Sequence, residues 1–249
     1  MKDGFEESKL RKVPYKKMKV DDDRQLPLMD HLVELRQRLI YSVGALVVSF
    51  LISLYFAGHI FNFLISPLAD LWQGQAGKRL IYTAMHEKFF TDLKVALFAG
   101  AFLSFPIVAN QIWKFVAPGL YREEKWAFLP FLIATPILFF SGGAFVYYLV
   151  LPVAWEFFAG FQQVATVGQI AIELEPKVNE YLALVMRLIF AFGLSFELPV
   201  ILILLTRAGL VSIEMLKEKR RYAIVIAFIA AAILTPPDPL SQFALAIPI

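Results

Sequence analysis

The 249-residue chain has no cysteine and only three histidines, and each shortage removes a class of chemistry. Without thiols there is no disulfide and no thiolate metal site, an absence compatible with either redox compartment. His31, His59 and His86 are scattered, and the His86–Glu87 pair lacks the second histidine that a zinc-protease helix needs. No glycine-rich phosphate loop is present, so any energy for transport comes from a membrane potential or proton gradient rather than a bound nucleotide. Met1–Arg38 is polar and contains no apolar core of a cleavable signal peptide. Self-similarity between the two halves is also lacking.

Apolar residues, by contrast, are abundant. The chain is 59% hydrophobic with 24 phenylalanines, and its mean hydropathy of +0.64 lies far above that of a soluble domain. Runs of 18 or more residues with few charges cover 39–57, 95–113, 126–155 and 188–206, each long enough to cross a bilayer as a helix. A fifth run, Tyr222–Thr235, is short for the ~20 residues a crossing needs, and must thin the bilayer, extend into its flanks or re-enter. After Thr235–Pro239, a proline-rich turn that breaks any helix, apolar character resumes from 243 and reads as the start of a sixth span. The expected fold is an all-α polytopic membrane protein with five spans and part of a sixth.

Basic residues orient it. Lys and Arg number ten in Met1–Arg38, three in Lys114–Lys125 and five in Arg207–Arg221, but only three before the second span and one before the fourth, with Lys94 and Arg187 at the span edges. The positive-inside bias therefore predicts a cytoplasmic N-terminus. These basic runs suit topology and anionic lipid, and nothing in them resembles a nucleic-acid module.

Three elements carry candidate chemistry. Glu197 sits at the middle of Leu188–Thr206, where a carboxylate costs ~2.5–3.5 kcal/mol on insertion scales, so a compensating contact is expected. Gly193 and Pro199 flank it and loosen the helix locally. In Pro27–Leu39 the residues Leu28, Leu32, Leu35 and Leu39 form an apolar stripe, with Asp30, Glu34 and Arg38 opposite. Periodicity alone favours an interfacial anchor with a Glu34–Arg38 pair worth a few tenths of a kcal/mol. Phe115–Lys125 is a tight inside connection in which Pro118 and Gly119 predict a turn, and Glu123 and Glu124 place acid on a basic side. Solvated loop carboxylates are the commoner account of such a pair.

Together these segments resemble one family. His31–Leu39 (HLVELRQRL), Gln111–Lys125 (QIWKFVAPGLYREEK), Phe192–Val200 (FGLSFELPV), Leu234–Asp238 (LTPPD) and Ser241–Pro248 (SQFALAIP) look like the successive signatures of TatC, the receptor subunit of the twin-arginine protein translocase. The resemblance runs from about Leu26 to the end. Met1–Gln25 has no counterpart and reads as a disordered extension or a non-native remnant.

The resemblance implies a six-helix, concave, glove-like protein without catalytic chemistry or cofactor, in a prokaryotic inner membrane. Its cytoplasmic face would bind signal peptides with consecutive arginines, at positions matching Glu34, Arg36, Arg38, Phe115 and Glu124. A guanidinium is a fixed fork that a carboxylate accepts in bidentate geometry, so two arginines suit two acids, Glu34 and Glu124, if their helices are neighbours. By the same resemblance Glu197 is the intramembrane contact for single-span TatA-like and TatB-like partners in an oligomeric complex, and Asp238 lies in the periplasmic turn. The alternative is a proton-coupled secondary transporter, which an embedded acid and the prolines Pro130, Pro136 and Pro152 would also suit, although its usual internal repeats are missing. The outer segments Gly58–Glu87 and Val153–Glu180, with Trp72, Trp155, Phe157 and Phe158, are expected along the outer interface.

Overall fold

A computed structural model describes residues 26–73, 77–120, 125–163, 170, 172–207, 209–236 and 238–249, without the side chains of 26–28 and 116–129. Among them the chain is almost wholly helical. In order come α1 (Leu26–Tyr55), α2 (Ala57–Leu71), α3 (Glu87–Leu120), α4 (Lys125–Phe145), a π-helical turn (Val146–Val150), α5 (Leu151–Ala159), α6 (Val178–Phe196), α7 (Leu198–Arg207), α8 (Ile213–Leu234) and α9 (Pro239–Ala246).

Four stretches are long and apolar enough to cross a membrane: Met29–Tyr55, Glu87–Phe115, Pro130–Ala159 and Val178–Arg207. They overlap the four long runs of the sequence, and the helices continue beyond them, the first, second and fourth at their N-terminal ends and the third at its C-terminal end. Charged residues such as Lys88, Asp92 and Lys94 end a hydropathy window without ending a helix, because they pair locally: Lys88 bonds Asp92 one turn on, and Lys94 donates to Asn179 at 2.8 Å. The fifth run forms the second half of α8, whose first half carries Lys217, Lys219, Arg220 and Arg221. Its apolar half alone is too short to span unaided.

Prolines shape the long helices. Pro152 lies in the first turn of α5, where its missing N–H and its ring would disrupt the preceding turn, and the wider π-turn Val146–Val150 comes just before it. Pro199 acts similarly on the fourth span, which breaks between α6 and α7 at Glu197. Pro118 and Gly119 do not end α3 as expected; the helix continues to Leu120, since one lost bond does not dissolve a helix held by its neighbours.

The centre of the bundle is α6, with Leu182, Val185, Leu188, Ile189 and Phe192 buried against Leu64 and Leu68 of α2, Val95 of α3, Leu151 and Trp155 of α5, Ala231 of α8 and Leu245 of α9. Of the outer segments, α2 turns one face, with Leu64, Pro67 and Leu68, into this core, and Trp155 is buried there too, while Phe63 and Phe157 stay exposed. Two close approaches fix the packing. A Cβ on Gly142 would lie 2.6 Å from the Phe192 carbonyl oxygen, and one on Gly100 2.7 Å from the Phe50 Cα. Only glycine lets α4 meet α6, and α3 meet α1, at such distances. Phenylalanines fill the space between α3, α4 and α6, with Phe105 and Phe139 stacked at 3.6 Å.

Candidate functional site

One end of the bundle is built by the N-terminal half of α1 against the C-terminal half of α3. Arg38 Nε donates to Glu34 Oε1 at 3.0 Å, and Nη2 donates to the same oxygen. Nη1 reaches across to Gln111 Oε1 of α3 at 3.4 Å. One turn toward the N-terminus, the His31 ring stacks on Phe115 of α3 at 4.2 Å with a 17° interplanar angle. Glu34 Oε2 has His31 Nδ1 at 3.9 Å, beyond hydrogen-bond range, and stays open as an acceptor among the described residues.

The two stripes read in Pro27–Leu39 face opposite ways. Leu32, Leu35 and Leu39 are exposed, whereas Glu34 and Arg38 face α3 and are half-buried. A bilayer accounts for this, because the lipid-facing stripe is the apolar one and the polar stripe has to find protein partners. Arg36 is exposed on α1. Glu34, Arg38 and Phe115 are thus brought together; Glu124 lies outside the described residues. His31 and Gln111 also belong to the cluster although the sequence did not single them out. The signal was available, since His31 precedes Glu34 by three positions and Gln111 precedes Phe115 by four, the spacings that share a helix face.

A second polar site lies within the membrane. Glu197 is 4% exposed, and both its carboxylate oxygens are buried without a hydrogen bond among the described residues. The break between α6 and α7 places it there, with Ile201 N–H bonding its carbonyl at 3.0 Å across the junction. From α4, the Thr135 hydroxyl and the Phe139 backbone face the carboxylate without closing a hydrogen bond of good geometry. Thr135 Oγ1 accepts instead from the Trp113 indole of α3 at 3.0 Å. The same helix α3 therefore also touches the wall of the Glu197 site at Trp113, two residues from both Gln111 and Phe115.

Asp238 occupies a third kind of place. It caps α9, accepting from the Ser241 N–H at 2.7 Å, and is 2% exposed, with Oδ2 unpartnered. Among the described residues no group of acids and histidines could hold a metal.

A family model described as Sec-independent protein translocase protein (TatC) matches residues 30–248. The chain is similar to the Sec-independent protein translocase protein TatC of Magnetococcus marinus, at 53% identity over 93% of this chain and 83% of the relative. It is 39% identical to the protein of the same description from Escherichia coli strain K12, over 93% of this chain and 86% of that one. Among solved structures it resembles a crystal structure of the twin-arginine translocase receptor TatC in the detergent DDM, with a TM-score of 0.74 and 37% identity, covering 88% of this chain and 93% of that one.

Proposed function

Because the chain belongs to the TatC family of Sec-independent protein translocase components, a multi-pass protein of the inner membrane, we propose that its inner-end cluster between α1 and α3 is the receptor site for twin-arginine signal peptides. Glu34 accepts one arginine through its open oxygen. Glu124 accepts the other, and Phe115 gives the peptide an apolar wall. The observation that carries this reading is the stack of His31 on Phe115 beside Glu34, which supports the neighbouring helices that a two-acid clasp requires. The N-terminus and this cluster face the cytoplasm, as the distribution of basic residues argues. The translocase unit is residues 26–249, with α8 a short fifth crossing and α9 entering a sixth.

Single-span TatA-like and TatB-like subunits would dock at Glu197 to form the oligomeric complex. A buried acid with two empty acceptor oxygens suits a donor side chain carried in by an arriving helix, and intramembrane hydrogen bonds average about 0.6 kcal/mol, enough to bias docking while leaving it reversible. The test compares binding of Arg-Arg and Lys-Lys peptides to the wild type and to Glu124→Ala in detergent. Preference for Arg-Arg in the wild type that is lost in the variant supports the receptor site, whereas equal binding in all four combinations rejects it.

A further inference from the structure

We propose that Arg38 is a resident stand-in for the arginine of the incoming peptide, and that its grip on Glu34 sets the preference for arginine over lysine. The inference rests on the receptor-site reading above and assigns Arg38 a role other than peptide contact.

The resident pair is imperfect in a particular way. Arg38 directs two donors, Nε and Nη2, at a single oxygen, Glu34 Oε1, and its remaining bond is a long one, 3.4 Å to Gln111. Being four residues away on the same helix, Arg38 approaches Glu34 along the helix axis, and Oε2 is left without a hydrogen bond. A peptide guanidinium arriving from outside the helix has no such tether. It can present its fork to both oxygens in parallel, the stronger geometry. Displacement of Arg38 by another arginine is therefore favourable, while Arg38 retains Gln111 and regains solvent.

Lysine fares differently in the same exchange. Its ammonium offers a point charge with no matching fork, so against a guanidinium already holding Glu34 it loses the competition it would win at an empty carboxylate. The resident arginine acts as a threshold that only another fork can pass. Held by Gln111 from α3, it also keeps Glu34 neutralised when no peptide is present, which limits the cost of leaving a half-buried acid unpaired at the mouth of the bundle.

The experiment measures binding of Arg-Arg and Lys-Lys peptides to the intact purified protein in detergent, for the wild type, Arg38→Lys and Gln111→Leu. Arg38→Lys keeps the charge and removes the fork. It is expected to raise Lys-Lys binding more than Arg-Arg binding, shrinking the preference about three- to tenfold. Gln111→Leu loosens Arg38 without altering any charge and is expected to shift the preference the same way by less. An unchanged preference in both variants overturns the proposal. So does weaker Arg-Arg binding to Arg38→Lys, which would make Arg38 a direct contact. A wild type with no preference at all, or peptide binding that survives Glu34→Gln undiminished, instead removes the receptor-site reading, so the two failures are distinguishable.

Discussion

Glu34 and Glu197 are both acids of the same bundle, yet one is held by Arg38, itself anchored on Gln111, while the other has two buried oxygens and, among the described residues, no hydrogen bond. Their surroundings explain the difference. Near the N-terminal end of α1 a basic side chain is within reach and Glu34 is only half-buried, so a carboxylate there can be paired without being sealed from solvent. Inside the membrane, pairing has to come from protein, so in the proposed assembly a donor on another chain completes the Glu197 site. In the proposed receptor site Glu34 works by competition.

The comparison predicts opposite behaviour on mutation. The largest expected effect is at the inner end: Glu34→Gln should weaken Arg-Arg peptide binding about 10- to 100-fold, the loss of a charge-assisted hydrogen bond, while hardly changing thermal stability. Binding isotherms and melting curves on one sample check both. At the inner-membrane acid the signs reverse. Glu197→Leu should stabilise the isolated chain by about 1–3 kcal/mol, because an unsatisfied buried polar group is removed, and should weaken recruitment of a single-span partner while leaving peptide binding intact. Denaturation in detergent with and without partner is the measurement, and a destabilised Glu197→Leu would show that the carboxylate is already paired within the fold.

Two smaller effects sharpen the boundary between the sites. Thr135→Val leaves the Trp113 indole without its acceptor at Thr135 and should cost about 1 kcal/mol, with the loss seen in the melting temperature rather than in peptide binding. Asp238→Ala removes the cap of α9 at a cost of about 0.5–2 kcal/mol by local unfolding, read as faster amide exchange confined to the Ser241 turn. Exchange that spreads to α6 would mean that Asp238 holds more than its own helix.

Several features were legible in the sequence for physical reasons. Long uncharged runs have few alternatives to membrane helices, so the four spans fell where hydropathy placed them. Pro199 beside Glu197 announced a break, and the chain breaks there. The helix ends were less legible, because Lys88–Asp92 and Lys94–Asn179 satisfy charges that a hydropathy window only penalises. What α1 packs against was not legible either: the stripe of Asp30, Glu34 and Arg38 was visible in the sequence, but not that Arg38 would reach Gln111 of α3.

The sequence by itself determined that this chain lives in a bilayer, which family it joins, and which acids stand out, because apolar run length, charge bias and spaced motifs are local quantities. Only the tertiary structure decided that Arg38 bridges Glu34 to Gln111, that Phe115 stacks on His31, that one face of α2 and Trp155 are buried in the core, and that Glu197 has no hydrogen-bond partner among the described residues. Those outcomes depend on which helix meets which, and that is fixed by glycine contacts and phenylalanine packing between segments far apart in the chain.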